Sequence, residues 1–243
     1  MFFHDRIKSI KQTDKVLEIG PGGNPHPRSN VLLEKKFDTA EWFAQSGNVQ
    51  PNSHGKETVF YEGGKFPFQD KEFDYVICSH VLEHVDDIDT FVNEITRVGK
   101  AGYIEYPTIY YDYIYNFKVH ITLLMKKDGT LYWMPKSESN LHQFKQVQDF
   151  FLKTLNEGKH DEMIYQLVDY LMQGFEWSEN ISTCRTKSIE DVYYDLSKIK
   201  ILPFVNQDRQ RIQKLEADIT SLINSKTYKL GKLIANPFSL FKK

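Results

Sequence analysis

The chain has 243 residues, 40% of them hydrophobic and 26% charged, enough apolar material for a soluble domain with a proper core and an appendage. Its net charge of −2 supplies no whole-molecule field that would gather nucleic acid, which is not an expected partner; any contact with an anionic surface must be local. Two cysteines, Cys78 and Cys184, cannot build a disulfide framework, so both are expected reduced and packed in a cytoplasmic setting. The opening MFFHDRIKSIKQTDK has no signal-peptide core, and no run of about 18 apolar residues follows.

Between residues 15 and 107 short apolar runs recur: VLEIG, VLLE, ETVFYE, FDYVICS and AGYIEYP. Polar or helical material separates them, the texture of parallel strands joined by crossovers. Ile88, Phe91, Val92, Ile95 and Val98 fall at helical spacing between two of these runs and predict a crossover helix. Ligands of open α/β sheets bind at the carboxyl ends of strands, so the residues after each apolar run are the ones to inspect.

The first such place is VLEIGPGGNPHPRSNVLLEK, residues 16–35. Gly20, Gly22 and Gly23 let a ligand approach the backbone closely. A dinucleotide fingerprint would need a third spaced glycine at position 25, where Pro25 stands, and no Gly-Lys-Ser/Thr follows for a phosphate loop. A ribose-bearing cofactor without a pyrophosphate remains, a description that S-adenosylmethionine fits. Glu34 ends the second apolar run, where a carboxylate can accept from both ribose hydroxyls; the alternative is a solvated strand-end charge. Glu18 either meets the cofactor's ammonium through water or braces the loop.

After Pro107 the chain becomes aromatic-rich, and KDGT predicts a hairpin turn at Asp128 and Gly129. LHQFKQVQDFFLKTL and DEMIYQLVDYLMQGF are helical by period. Residues 111–200 thus form either an acceptor-side insertion or an ordinary packed extension. From Asp208 onward eight Lys/Arg face three Asp/Glu, a tail of +5, with Ile212, Leu215, Ile219 and Leu222 on one helical seam. A basic amphipathic tail over 206–243 docks on a membrane surface, on a partner, or on its own domain.

Taken together, VLEIGPGGNPHP, FPFQDKEFDYVICSHVLEHVDD and RVGKAGYIEYPT resemble the class I S-adenosylmethionine-dependent methyltransferases over roughly residues 13–110. The resemblance implies a doubly wound, Rossmann-like α/β sheet of seven strands, ordered 3-2-1-4-5-7-6, over residues 1–205. It implies that Gly20 and Gly22 flank the methionine moiety and that Glu34 holds the ribose. Glu62, with Gly63 beside it, would meet the adenine, and Ser79 and His80 would line the amino-acid and sulfonium end. The NPHPRSN turn stands where the first crossover helix is usual. Similar loops, and endings like SKTYKLGKLIANPFSLFKK, resemble methyltransferases that accompany glycosyltransferases of bacterial surface polysaccharide assembly. That places the expected protein in the cytoplasm or peripherally at the inner face of the membrane.

A sugar hydroxyl is a weak nucleophile and gains from a base, for which histidine suits neutral pH. His80 and His120 are the leading catalytic candidates, with His142 also eligible and Asp112 and Glu105 behind them. Asp86 and Asp87 serve a helix dipole as well as they would serve a metal, so no metal is expected. The expected acceptor is a hydroxyl of a surface glycan or of its lipid- or nucleotide-linked precursor. A quinone-type metabolite is the alternative, and a non-catalytic scaffold of glycan assembly the third reading.

Overall fold

A computed structural model describes residues 3–36, 52–199 and 207–225. The chain divides into two compact units, Met1–Ser197 and Lys198–Lys243.

In the larger unit the strands are β1 (Val16–Ile19), β2 (Val31–Lys35), β3 (Glu57–Tyr61), β4 (Phe73–Ser79), β5 (Gly99–Pro107), β6 (Thr122–Lys127), β7 (Thr130–Pro135), β8 (Met172–Trp177) and β9 (Ser182–Arg185). A six-stranded, mostly parallel sheet runs β3-β2-β1-β4-β5-β8, with β8 antiparallel to β5. Strands buried on both faces read as continuous apolar runs, and β1 and β4 do so: every residue of β1 is buried, Glu18 included.

The crossover helix α1 (Ile88–Val98) carries Ile88, Val92, Ile95 and Val98 into the main core beside Leu17, Val76 and Ile104. The Asp87 side chain caps it, accepting from the Thr90 N–H at 3.0 Å. Lys71 closes the other end, its Nζ on the carbonyls of Thr96 at 2.6 Å and Gly99 at 2.9 Å. Arg97 and Glu94 on this helix pin the Phe66-Pro67-Phe68 segment through Phe66 N–H, Phe66 O and Phe68 O, which fixes the chain between β3 and β4.

Three expectations change here. The central sheet has six strands among the described residues, not seven. The chain that follows β8 instead enters a separate sheet, β6-β7-β9, in which β9 pairs parallel with β7. That second sheet has its own core, where Leu123, Met125 and Met134 meet Ile109, Leu141 and Val192, while β9 lies mostly exposed along its edge. The MQGF segment, expected to be helical, belongs to β8. Cys78 is buried as expected, but Cys184 is exposed on the edge strand β9.

The hairpin turn forms at Asp128 and Gly129, both with positive φ. Three helices complete this unit: α2 (Ile109–Tyr115), α3 (Lys145–Asn156) and α4 (Asp161–Leu171). The aromatic run after Pro107 packs largely on itself and its neighbours: Tyr110 stacks on Tyr194 and Tyr111 on Phe117, each at 5.1 Å between ring centroids. In the second unit α5 (Gln207–Asn224) exposes Leu215, Ile219 and Leu222. The Ile212 side chain and the basic ending from residue 226 lie outside the described residues.

Candidate cofactor and acceptor site

The carboxyl ends of β1, β2, β3 and β4 converge on a cavity of about 410 Å³. Gly20 and Gly22 enter it from β1, Glu34 and Lys35 from β2, Tyr61, Gly63 and Gly64 from β3, and His80 and Val81 from β4. Val85, Phe91 and Ile121 add apolar wall. Gly20 and Gly22 both have φ of +60°, and a Cβ on Gly20 would stand 2.7 Å from Val81 Cγ2. Glycine is therefore required at Gly20 on two counts, left-handed backbone and close approach. NPHPRSN carries no helix and returns the chain directly to β2.

Glu34 turns back onto the loop and accepts the Gly22 N–H at 3.3 Å. Burial pushes its carboxyl up to about 7, helped by the charge of Glu18 and opposed by the Gly22 N–H. A buried carboxyl with spare acceptor capacity, at the end of the second strand, fits a pair of ribose hydroxyls.

The other expected contacts separate. Glu18 is buried on the loop, accepting from His26 N–H at 2.7 Å and Ser29 Oγ at 2.6 Å; it braces NPHPRSN and is absent from the cavity wall. Glu62 is exposed and paired with Lys36 Nζ at 2.7 Å, so the adenine assignment fails for it while Gly63 does reach the cavity. Ser79 is buried beneath the site and donates to Glu105 Oε1 at 2.9 Å rather than to a ligand.

His80 lines the cavity with a positive φ and lies between two carboxylates, Nδ1 3.5 Å from Glu83 Oε1 and Nε2 3.2 Å from Glu105 Oε1. Burial lowers its pKa, but Glu105 and Glu83 outweigh that and carry it to about 9. A histidine already protonated at neutral pH cannot take a proton from an acceptor, which removes His80 as a base and makes it a fixed cation suited to a carboxylate. Glu105, wholly buried, also takes Tyr103 OH at 2.7 Å and Arg6 at 3.4 Å and serves as the hub of this network rather than an acceptor contact.

His120 stands across Ile121 from the cofactor cavity. Its Nδ1 is 2.8 Å from Asp112 Oδ2, and Lys136 holds the other Asp112 oxygen at 2.6 Å. A carboxylate that is ionised can only accept, so His120 carries its hydrogen on Nδ1 and presents the Nε2 lone pair. A second cavity of about 340 Å³, sharing Ile121 with the first, is lined by Asn116, His120, Lys136, Ser137, Leu141 and His142. The Asp112–His120 pair and the role of Lys136 emerge only when α2 and the hairpin are brought together; the aromatic spacing around them carried no signal of it.

The lining of the first cavity suits S-adenosylmethionine: glycine turns would take its methionine backbone, His80 its carboxylate, Glu34 the ribose, and Tyr61 with Phe91 the adenine side. A family model described as a methyltransferase domain matches residues 42–104. Two curated relatives, ubiquinone biosynthesis O-methyltransferases of Rickettsia bellii strains OSU 85-389 and RML369-C, are each 26% identical over 174 residues, 67% of this chain and 68% of theirs. Among solved structures, a SAM-dependent methyltransferase of Methanosarcina mazei aligns with a TM-score of 0.31 and 19% identity, covering 49% of this chain and 69% of that one. An S-adenosylmethionine-dependent methyltransferase of Mesorhizobium loti aligns with a TM-score of 0.32 and 12% identity, covering 51% and 58%. The chain spans between 47% and 69% of the length of eight of the solved structures that it resembles. The family match, the curated relatives and the strand-end cavity together support an S-adenosylmethionine-dependent methyltransferase.

Proposed function

We propose that the chain transfers the methyl group of S-adenosylmethionine to a hydroxyl of a carbohydrate acceptor, a surface glycan or its lipid- or nucleotide-linked precursor. The observation that carries this is the second cavity: Asn116, Lys136, Ser137 and His142 offer a polar wall to a polyol, and His120 stands where that cavity meets the cofactor cavity. Bound cofactor supplies the electrophilic methyl group. The chain's part is to hold acceptor and cofactor in line and dry, and to activate the hydroxyl. Asp112 holds the His120 ring through Nδ1 and leaves Nε2 outside that bond.

The decisive test is labelled methyl transfer to cell fractions separated into lipid-linked glycan, nucleotide sugar and free lipid. Label in a glycan or nucleotide-sugar fraction is expected, and label confined to a quinone fraction would replace this reading with the quinone-type one. The curated relatives' name supports that second reading, whereas the polar second cavity supports the first. His120→Ala is expected to lower kcat by about 100-fold, through loss of hydroxyl activation, with cofactor affinity unchanged. A catalytic role disfavours the scaffold reading, because a scaffold needs no ribose carboxylate. The tail is assigned to docking at a membrane surface or a glycan-assembly partner; its net +5 from Asp208 onward and the exposed Leu215, Ile219 and Leu222 support this.

A further inference from the structure

We propose that Glu83, His84 and His120 bind one divalent transition-metal ion beside the cofactor cavity; its role in transfer rests on the hydroxyl-methylation reading, its existence does not. Each residue offers one donor atom, and the three atoms lie within 4.8 Å of one another. Bond lengths of about 2.0–2.1 Å place tetrahedral ligand atoms roughly 3.4 Å apart, so side-chain adjustments on the order of an ångström close the site.

The tautomers are already set for ligation. His84 Nδ1 lies 2.8 Å from the Val119 carbonyl oxygen, which can only accept, so Nδ1 carries the hydrogen and Nε2 the lone pair. His120 is held the same way by Asp112 at 2.8 Å. Anchoring one ring nitrogen on a carbonyl or carboxylate is how metal-binding histidines are oriented. The two rings meet edge to face at 5.1 Å between centroids.

Glu83 provides the independent observation. It is 1% exposed, yet neither Oε1 nor Oε2 accepts a hydrogen bond in good geometry. The basic nitrogens beside it are His80 Nδ1 at 3.5 Å, from a ring that Glu83 shares with Glu105, and His84 Nε2 at 3.9 Å, while Arg6 leans on Glu105 instead. Burying a carboxylate so poorly satisfied is costly, and an ion between it and the two imidazole lone pairs removes the cost. The framework is firm: Ile121 N–H donates to Glu83 O at 2.7 Å, and Thr122 Oγ1 to Val85 O at 2.5 Å, tying the turn that carries Glu83 and His84 to the start of β6.

Two imidazoles and one carboxylate select a first-row ion of the zinc, iron or manganese kind and leave coordination positions open. His84 lines the cofactor cavity and His120 the polar cavity, so the open positions lie where acceptor and cofactor meet. A hydroxyl oxygen bound there loses its proton to solvent water. The oxygen then forms the new O–C bond while the S–C bond breaks and its electron pair stays on the leaving thioether sulfur. His120 thus activates the hydroxyl as a ligand.

The test uses the full chain, freed of metal with a chelator, dialysed, and titrated calorimetrically with Zn²⁺, Mn²⁺ and Co²⁺, the last followed also by its visible absorption. One ion per chain is expected, with affinity lowered at least tenfold in both Glu83→Gln and His120→Ala. His120→Ala is expected to keep its affinity for S-adenosylhomocysteine, which shows that it folds. No stoichiometric ion, or equal affinity in both variants, overturns the site. Methyl transfer by a chain that holds no ion removes the ion's role in transfer and keeps the hydroxyl-methylation reading. Tight one-to-one binding without any transfer keeps the site and removes that reading.

Discussion

Glu34 shows how a single buried carboxyl couples stability to function. Its folded pKa, about 7, lies above the unfolded value, so the folded state favours its proton. The associated stability is complete below the unfolded pKa and is lost as pH rises from about 4.5 through 7. Cofactor-free Glu34→Gln is therefore expected to be more stable than the parent at pH 8, on the order of 2 kcal/mol, and to show little difference at pH 4.5. Denaturant titrations at the two pH values measure this. The same variant, and Glu34→Ala more strongly, is expected to bind S-adenosylmethionine at least tenfold more weakly, because the ribose loses an ionised acceptor; unchanged affinity would sink the ribose assignment. The place of Glu34 at the end of the second apolar run was legible in the sequence; its burial against the Gly22 N–H was not. Glu62 and Ser79 show the limit of that reasoning: position along the chain placed them near a strand end, but the direction of the side chain sent one to Lys36 and the other under the sheet to Glu105.

At the scale of elements, the crossover helix α1 was readable because its apolar positions repeat at helical period and Asp87 stands at its start. Asp87→Ala is expected to cost about 1 kcal/mol by thermal unfolding, the usual worth of such a cap. The central strands were readable from their apolar runs, but the partner of β5 was not. A Cβ on Gly102 would overlap the Val76 carbonyl oxygen and crowd the Trp177 ring, so the close passage of β8 along β5 depends on that glycine. Gly102→Ala is expected to destabilise the fold by about 2–3 kcal/mol, as overpacking does, without altering any residue of the cofactor cavity. Chemical denaturation read beside cofactor affinity separates the two effects.

At the scale of the whole molecule, the chain combines a unit ending at Ser197 with a second unit that carries α5 and whose sequence is basic overall. Among the described residues no helix is long and apolar enough to cross a membrane. Removing residues 198–243 is expected to leave S-adenosylmethionine affinity within twofold and to abolish sedimentation with anionic liposomes or a glycan-assembly partner; equal sedimentation with and without the tail would retire the docking role. The sequence by itself determined the parallel α/β core, the glycine turn after the first strand and the hairpin, because each depends on local period or turn chemistry. Tertiary structure alone decided that the central sheet has six strands among the described residues, that His80 lies between Glu83 and Glu105, and that Asp112 orients His120 beside Glu83 and His84. Those outcomes depend on burial and on distances between segments far apart in the chain, quantities that no local pattern encodes.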